Sequence, residues 1–438
     1  MRAVLTNFGS LGDLQPFLAL AVEMRRHGHA PLLAFPPYFR PKVEALGLEF
    51  APIGPDLQAI QNNVNVAMRN RPDSDDRVRE ILSPLMAALP QAYSELSQIC
   101  SGADVLISGA TQPAARMAHE TSGIPFVSVQ FSHFGVTGSP ALQNSSAALI
   151  NPFRAQLGLP PLRDPLTIDA NSPQLALYAM SRYVGFPRVN WPSQCHITGY
   201  FFLDEEQGEP EPEIIDFITS GDPPIIINFG SMTHDDPAWL TELLLKAMKL
   251  AACRAIIQTG WSALGERRLT KDVLTVNYIP HHWLFSRAKC VVHHGGAGTA
   301  GAVFRAGVPS VFVPHISFFD QHDWAEFAHE MGCAYQPIPL SRLTAERLAA
   351  AVKTVIKKTE YRQNAIELAK RVQSEPGVRL ARKLIEDLLQ KNQLRQMDWD
   401  SRASEERFRE REQRSAIRKQ LQQNLRTGKL RRIDGNSS

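Results

Sequence analysis

The run 293-HHGGAGTAGAVFRAGVPSVFVPHISFFDQHDW-324 holds, in order, the end of a strand, a turn, a helix, a second strand and another turn. It opens on His293 and His294, which close an apolar run. Gly295, Gly296 and Gly298 then strip the chain of side chains before a segment of helical character that includes Ala297 and Thr299. A glycine-rich turn opening a helix gathers backbone N–H groups at the positive end of the helix dipole, which is a seat for phosphate. Further on, Asp320 and Gln321 stand side by side just after a strand-like run. A carboxylate accepts O–H bonds and an amide both gives and takes them, so the pair suits vicinal hydroxyls. Phosphate chemistry and sugar-hydroxyl chemistry lie in one segment. Together they point to a nucleotide sugar.

Outward from this stretch the same strand-then-helix grammar occurs twice. Residues 3–6 read as a short apolar strand and 7–12 as a small-residue turn. Asp13 is placed to cap a helix beginning near Leu14, in which Phe17, Leu18, Leu20, Ala21 and Met24 share one side until Gly28. Strands are expected at 30–35, 105–108 and 126–130, with a helix over 112–122. The acidic segment 204-DEEQGEPEPE-213, with Pro210 and Pro212, makes a poor core and a natural linker. After it come strands at 225–228, 254–258, 274–276 and 290–293 and helices at 237–251, 297–306, 321–331, 345–357 and 361–373. Such alternation predicts an α/β fold, two Rossmann-like doubly wound parallel sheets. The expected domains are 1–203 and 214–390, the second holding the phosphate and sugar motifs, with 204–213 as linker and 391–438 as a basic helical tail. Glycine turns after the first strand of each half, set face to face, predict a ligand cleft between domains.

At 438 residues the chain exceeds one ordinary core, and 44% hydrophobic with 21% charged residues is a globular composition. The net charge of +3 gives no reason to expect nucleic acid, but it is unevenly placed. Residues 391–438 carry 13 Lys and Arg against 7 Asp and Glu. Ile417, Leu421 and Leu425 form a thin stripe there, read as a solvated surface helix or as a peripheral contact with an anionic membrane or a partner. The five cysteines lack a CxxC pair, which favours free thiols in a reducing, cytoplasmic setting. No signal peptide and no spanning apolar run is read in the sequence. No metal constellation appears either. His281-His282 and His293-His294 would diverge on a strand, and 398-DWD-400 lies in the tail.

Six pieces in order resemble the inverting glycosyltransferases of the GT-B type that use UDP- or TDP-sugars, in the branch of sterol and natural-product glycosyltransferases. They are 9-GSLGDLQPFLALA-21, 228-NFGSM-232, 278-YIPHHWLF-285, 293-HHGGAGT-299, 307-GVPSVFVP-314 and 320-DQHDW-324. The resemblance covers residues 1 to about 390. It implies that His294 donates to the donor's phosphate, with Gly296, Ala297, Gly298 and Thr299 supplying N–H groups and a hydroxyl. Fixed donors at a helix N-terminus stabilise a leaving diphosphate without a metal, and no cofactor is expected beyond the nucleotide sugar itself. His293 is read as a core side chain ending its strand. Ser231 is implied as the second phosphate contact, with Gly230 allowing close approach. Asp320 and Gln321 match the pair that holds the sugar's 3- and 4-hydroxyls, although Asp320 could equally cap the following helix. Tyr278 stands where related plant enzymes stack a tryptophan on uracil, and Trp261 competes for that place. The plant enzymes' ribose-binding glutamate falls here on Ala302, which leaves the ribose unassigned.

Transfer to an alcohol needs the acceptor's proton removed as its oxygen attacks. The resemblance implies Asp13 as that base, and His133 is the alternative. An acceptor pocket is expected from Phe8, Ser10, Asp13, residues 84–86, Phe131, His133, Phe134 and an apolar loop over 135–150. Their apolar character favours a lipophilic alcohol. The expectation is therefore transfer of a hexose, glucose first, from a UDP-sugar to a sterol- or polyketide-like acceptor. Two other classes stay open: a nucleotide-sugar hydrolase or epimerase on the same scaffold, and a non-catalytic sensor.

Overall fold

The computed structural model describes residues 1–55, 75–133, 138, 140–184, 191–204, 210–232, 234, 236–260, 268–316 and 320–391. They form two compact units. The first comprises Met1–Leu203 with the chain from Glu375, the second Asp204–Ser374.

The first unit is built on seven strands: β1 Arg2–Thr6, β2 Ala30–Phe35, β3 Glu49–Pro52, β4 Val105–Gly109, β5 Phe126–Gln130, β6 Leu175–Tyr178 and β7 Cys195–Ile197. All pair in parallel, in the order β3-β2-β1-β4-β5-β6-β7. β1 and β4 are neighbours from which the chain winds out in opposite directions. Their carboxyl ends are joined by side chains: Thr111 donates to Asn7 Oδ1 at 2.6 Å and to the Phe8 carbonyl.

The second unit has six strands: β8 Ile225–Asn228, β9 Ala255–Gln258, β10 Arg268–Thr270, β11 Val273–Val276, β12 Cys290–His293 and β13 Ser310–Phe312. Their order is β10-β11-β9-β8-β12-β13, parallel except for the β10–β11 pair. β8 shows why the apolar runs are continuous rather than alternating. Ile225 and Ile227 pack in one core with helices Pro237–Ala251 and Ala345–Lys357. Ile226 packs on the opposite face with helices His281–Phe285 and Ala297–Ala306. A strand covered on both sides has no solvent face to fill with polar residues.

Several expectations change. Helix Val378–Lys391 folds with the first unit, not with the 214–390 domain. Its apolar stripe, which includes Ala381 and Ile385, joins the core under helix Leu11–Arg26. Arg382 bridges Glu23 and Glu386, and Glu386 also meets His29 Nε2 at 2.8 Å. The acidic linker is shorter than 204–213, because a helix starts at Pro212 and Asp204 receives both guanidinium nitrogens of Arg305. The apolar loop over 135–150 is largely helix Pro140–Gln156, and the 281–285 segment is a helical turn rather than strand. Residues 205–209 and 392–438, including the proposed tail stripe and 398-DWD-400, lie outside the described residues. No helix among the described residues is long and apolar enough to cross a membrane.

Candidate active site

In the second unit the strand order reverses between β8 and β12, since the chain leaves β8 towards β9 and β11 but leaves β12 towards β13. Ligands of open parallel sheets sit outside the carboxyl ends of the strands at such a reversal. The residues there are Phe229, Gly230 and Ser231 on one side and His294, Gly295 and Gly296 on the other.

His294 is wedged between two glycines. A Cβ on Gly230 would stand 2.8 Å from its Cε1, and one on Gly296 would stand 2.4 Å from its Nε2. Gly230 has φ +61°, so it is glycine for backbone reasons as well. The Nε2 edge of the ring therefore lies beside the first residue of helix Ala297–Ala306, whose N-cap is Gly296 and which has no side-chain cap. The first intrahelical bond runs from Ala300 N–H to the Gly296 carbonyl at 2.9 Å, so the N–H groups of Ala297, Gly298 and Thr299 precede the ladder. Gly298 faces open space. Three backbone donors, a dipole end and a neutral imidazole meet here, which is the chemistry an anion takes. Burial holds His294 down to about 3, with His315 adding to the shift, so the ring is uncharged before a ligand arrives.

Gly295 ties this seat to the Asp320-Gln321 pair. Its φ is +94°, and a Cβ there would meet the Gln321 carbonyl oxygen at 2.9 Å. Gln321 is buried, and its Oε1 accepts from the N–H groups of His315 at 2.8 Å and Ile316 at 3.2 Å. Its amide nitrogen faces Met232 Sδ at 3.6 Å. Asp320 makes no side-chain cap bond to its helix; its Oδ2 instead accepts the indole N–H of buried Trp324 at 2.8 Å. The carboxylate is thereby fixed in orientation. Ser231 sits half-buried in the turn after β8, and Tyr278 is an exposed ring after β11 rather than a core side chain. Thr299 is buried in the first turn of its helix. Trp261 lies outside the described residues.

His293 is fully buried, with its ring 4.1 Å from that of Phe312 and burial holding it well below the usual imidazole range. The residues that sequence reasoning missed surround it. Asn228 and Gln258 end β8 and β9 in register, and His293 pairs with Asn228 from β12. Asn228 contacts Gln258, His281 and Gly230, and His315 donates from Nδ1 to the Val313 carbonyl at 2.8 Å. A signal was present: two all-apolar strands, IIIN and AIIQ, both end on an amide.

In the first unit, helix Leu11–Arg26 starts three residues earlier than Leu14, because Ser10 rather than Asp13 is its N-cap. Ser10 Oγ accepts from Gly12 N–H, while Asp13 Oδ2 accepts from Ser10 N–H at 2.7 Å and Ser10 Oγ at 3.1 Å. This capping box engages the Ser10 hydroxyl, and the residue itself stays half-buried at the turn. Both bonds to Asp13 end on Oδ2 and leave Oδ1 unused by them. The carboxyl packs against Gly9, whose φ is +147° and where a Cβ would stand 2.3 Å from Oδ2. Burial raises Asp13 to about 6 against the lowering effect of the Ser10 bonds. Phe8 is buried and packs in the core of this unit. Phe131 likewise packs edge-on against Phe17. His133 is half-buried in the turn after β5; Phe134 lies outside the described residues. Pro84 and Met86 fall within helix Asp75–Ala87, and Met86 is buried.

Residues 3–138 match the glycosyltransferase family 28 N-terminal domain, and 250–387 match the erythromycin biosynthesis protein CIII-like C-terminal domain. The O-mycaminosyltylonolide 6-deoxyallosyltransferase of Streptomyces fradiae is 32% identical over 428 residues, covering 88% of this chain and 97% of that protein. The chain belongs to the GT-B glycosyltransferases. A sterol 3-beta-glucosyltransferase of Arabidopsis thaliana is 31% identical over 408 residues, 85% of this glycosyltransferase, which spans 66% of the plant protein. In fold, the glycosyltransferase resembles the spinosyn rhamnosyltransferase SpnG complexed with thymidine diphosphate. The TM-score is 0.67 at 20% identity, over 88% of this chain and 100% of that one.

Proposed function

We propose that this glycosyltransferase moves a hexose, glucose first, from a UDP-sugar to a hydroxyl of a lipophilic acceptor of the sterol or polyketide type, with inversion at the anomeric carbon. The observation that carries the reading is the His294 ring held between Gly230 and Gly296 beside an uncapped helix start. A diphosphate placed there meets the N–H groups of Ala297, Gly298 and Thr299, the His294 N–H and the Ser231 hydroxyl. As the bond to the sugar breaks, negative charge grows on the leaving phosphate, and donors already in place stabilise it without reorganisation. This chemistry asks for no metal. Asp320, oriented by Trp324, accepts from the sugar's hydroxyls through its carboxylate, and the Gln321 amide nitrogen donates to them. Tyr278 offers an exposed ring face to the base.

Asp13 takes the acceptor's proton. A carboxyl at about 6 is ionised at neutral pH yet more basic than an ordinary aspartate, which suits a general base. The named relatives act on a macrolide and on sterols, and this supports a lipophilic alcohol as acceptor. Five cysteines without a disulfide support a reducing, cytoplasmic setting. The test is donor consumption with UDP-glucose and TDP-glucose, with and without a panel of sterols and polyketide alcohols, followed by mass shift of the acceptor. Consumption that requires the acceptor supports transfer. Free glucose released at the same rate without it indicates a hydrolase, and binding without turnover a sensor.

A further inference from the structure

The polar side chains at the ends of β8 and β9 form a chain whose every proton can be placed. Gln258 Nε2 donates to the Ile279 carbonyl at 3.1 Å, so its Oε1 is the atom turned to Asn228. The atom of Asn228 at 2.8 Å from that oxygen is therefore the nitrogen, Nδ2, and its Oδ1 accepts the Gly230 N–H at 2.7 Å. The second Nδ2 proton points to His281 Nε2 at 2.9 Å, which must be a bare lone pair, with the imidazole proton on Nδ1. A backbone carbonyl at one end and a backbone N–H at the other leave no alternative arrangement of the amides. Asn228 and Gln258 are both buried, so water cannot replace a lost partner cheaply.

From this we infer that Asn228 is a positioning residue for the donor site. It holds the Gly230 turn in the φ +61° conformation on which the His294 ring rests, and it keeps His281 in its neutral Nδ1–H form. Neither Asn228 nor His281 is asked to touch substrate; both act through Gly230 and His294. The inference rests on the donor reading proposed above.

The titratable groups bearing on His281 are His282 on its own helix and His293 and His294 from β12, and Asp204 lies near His282. Asn228→Asp keeps the acceptor for Gly230 but has no hydrogen for Gln258 Oε1 or His281 Nε2. The neutral His281 ring can move its proton from Nδ1 to Nε2 and donate to the carboxylate, but Gln258 Oε1 faces a carboxylate oxygen until the new carboxyl itself takes a proton and donates it there. Calorimetric titration with UDP-glucose, whose diphosphate does not titrate in this range, reads the consequence. Wild type binds with one affinity from about pH 5.5 to about pH 8. Asn228→Asp is close to wild type at the acid end and about tenfold weaker at the alkaline end. In Asn228→Ala the Gly230 N–H loses its acceptor and no carboxyl replaces it, so binding is about tenfold weaker at every pH, without the acid-side recovery. If Asn228→Asp does not fold, as read by its melting curve, a folded Asn228→Ala that binds more weakly at every pH still supports the inference. The inference is overturned if Asn228→Asp matches wild type at about pH 8 or loses affinity equally at all pH values, or if a folded Asn228→Ala binds as tightly as wild type. Wild-type protein that binds neither UDP-glucose nor TDP-glucose overturns the donor reading instead.

Discussion

Gly295 turns directly against the backbone of Gln321: a Cβ on Gly295 would lie 2.9 Å from the Gln321 carbonyl oxygen and 3.4 Å from its Cα. The turn at His294–Gly296 and the Asp320-Gln321 pair, well separated in the chain, therefore share one contact. A ligand that places phosphate on the first has its next group beside the second. This is the reason to read the two motifs as one site for one molecule.

Two glycine substitutions separate structure from ligand at this seat. Gly295→Ala forces a side chain into positive φ against backbone and should cost about 1–3 kcal/mol of stability, read by denaturant unfolding. Gly298→Ala has free space around the added methyl and sits in a helix, so stability should hold or rise by about 0.5–1 kcal/mol. Yet Gly298→Ala should weaken UDP-glucose binding on the proposed reading, because the added methyl narrows the approach of a phosphate to the Gly298 N–H. Unchanged affinity in this variant would remove Gly298 from the seat.

Trp324→Phe keeps an aromatic ring in its buried place but deletes the N–H that orients Asp320 at 2.8 Å. UDP affinity should stay near wild type while UDP-glucose weakens by about 1 kcal/mol or more. Equal weakening of both ligands would assign Trp324 to general packing.

Asp13→Asn should abolish transfer while leaving donor affinity intact, as read by acceptor mass shift and calorimetry. The pH profile follows from the raised carboxyl. Below about 6 the base is protonated, so kcat/KM should fall about tenfold per pH unit on the acid side. The same shift sets the sign of the stability effect. Between 3.8 and about 6 the folded chain holds a proton that the unfolded chain has lost, so this group's contribution to stability declines as pH rises through that window. Asp13→Asn should accordingly melt no lower than wild type at neutral pH. Turnover that survives in Asp13→Asn moves the base to His133 or elsewhere.

The parallel strands were legible because covering both faces leaves near-continuous apolar runs, as in Ile225–Asn228 and Cys290–His293. Glycine patterns marked the turns around His294 for a backbone reason that one residue type alone satisfies. Other features carried weaker signals. Pro140–Gln156 contains Asn, Ser and an internal Pro152, a composition that reads as loop until packing decides it. Val378–Lys391 shows an apolar stripe from sequence, but nothing in a periodicity says which unit receives it. Asp13 was visible as a helix-start residue, whereas its role as third residue of a box capped by Ser10 depends on φ and ψ that the letters do not show. The Asn228–Gln258–His281 chain escaped because register between strands brings its members together.

The most direct measurement is calorimetric titration of UDP-glucose into wild-type protein and into the Asp13→Asn and His294→Ala variants, with a melting curve for each. The imidazole between Gly230 and Gly296 is a donor to phosphate on this account, so wild type and Asp13→Asn bind alike and His294→Ala binds about tenfold or more weakly while remaining folded. A folded His294→Ala protein that binds UDP-glucose as tightly as wild type would contradict it.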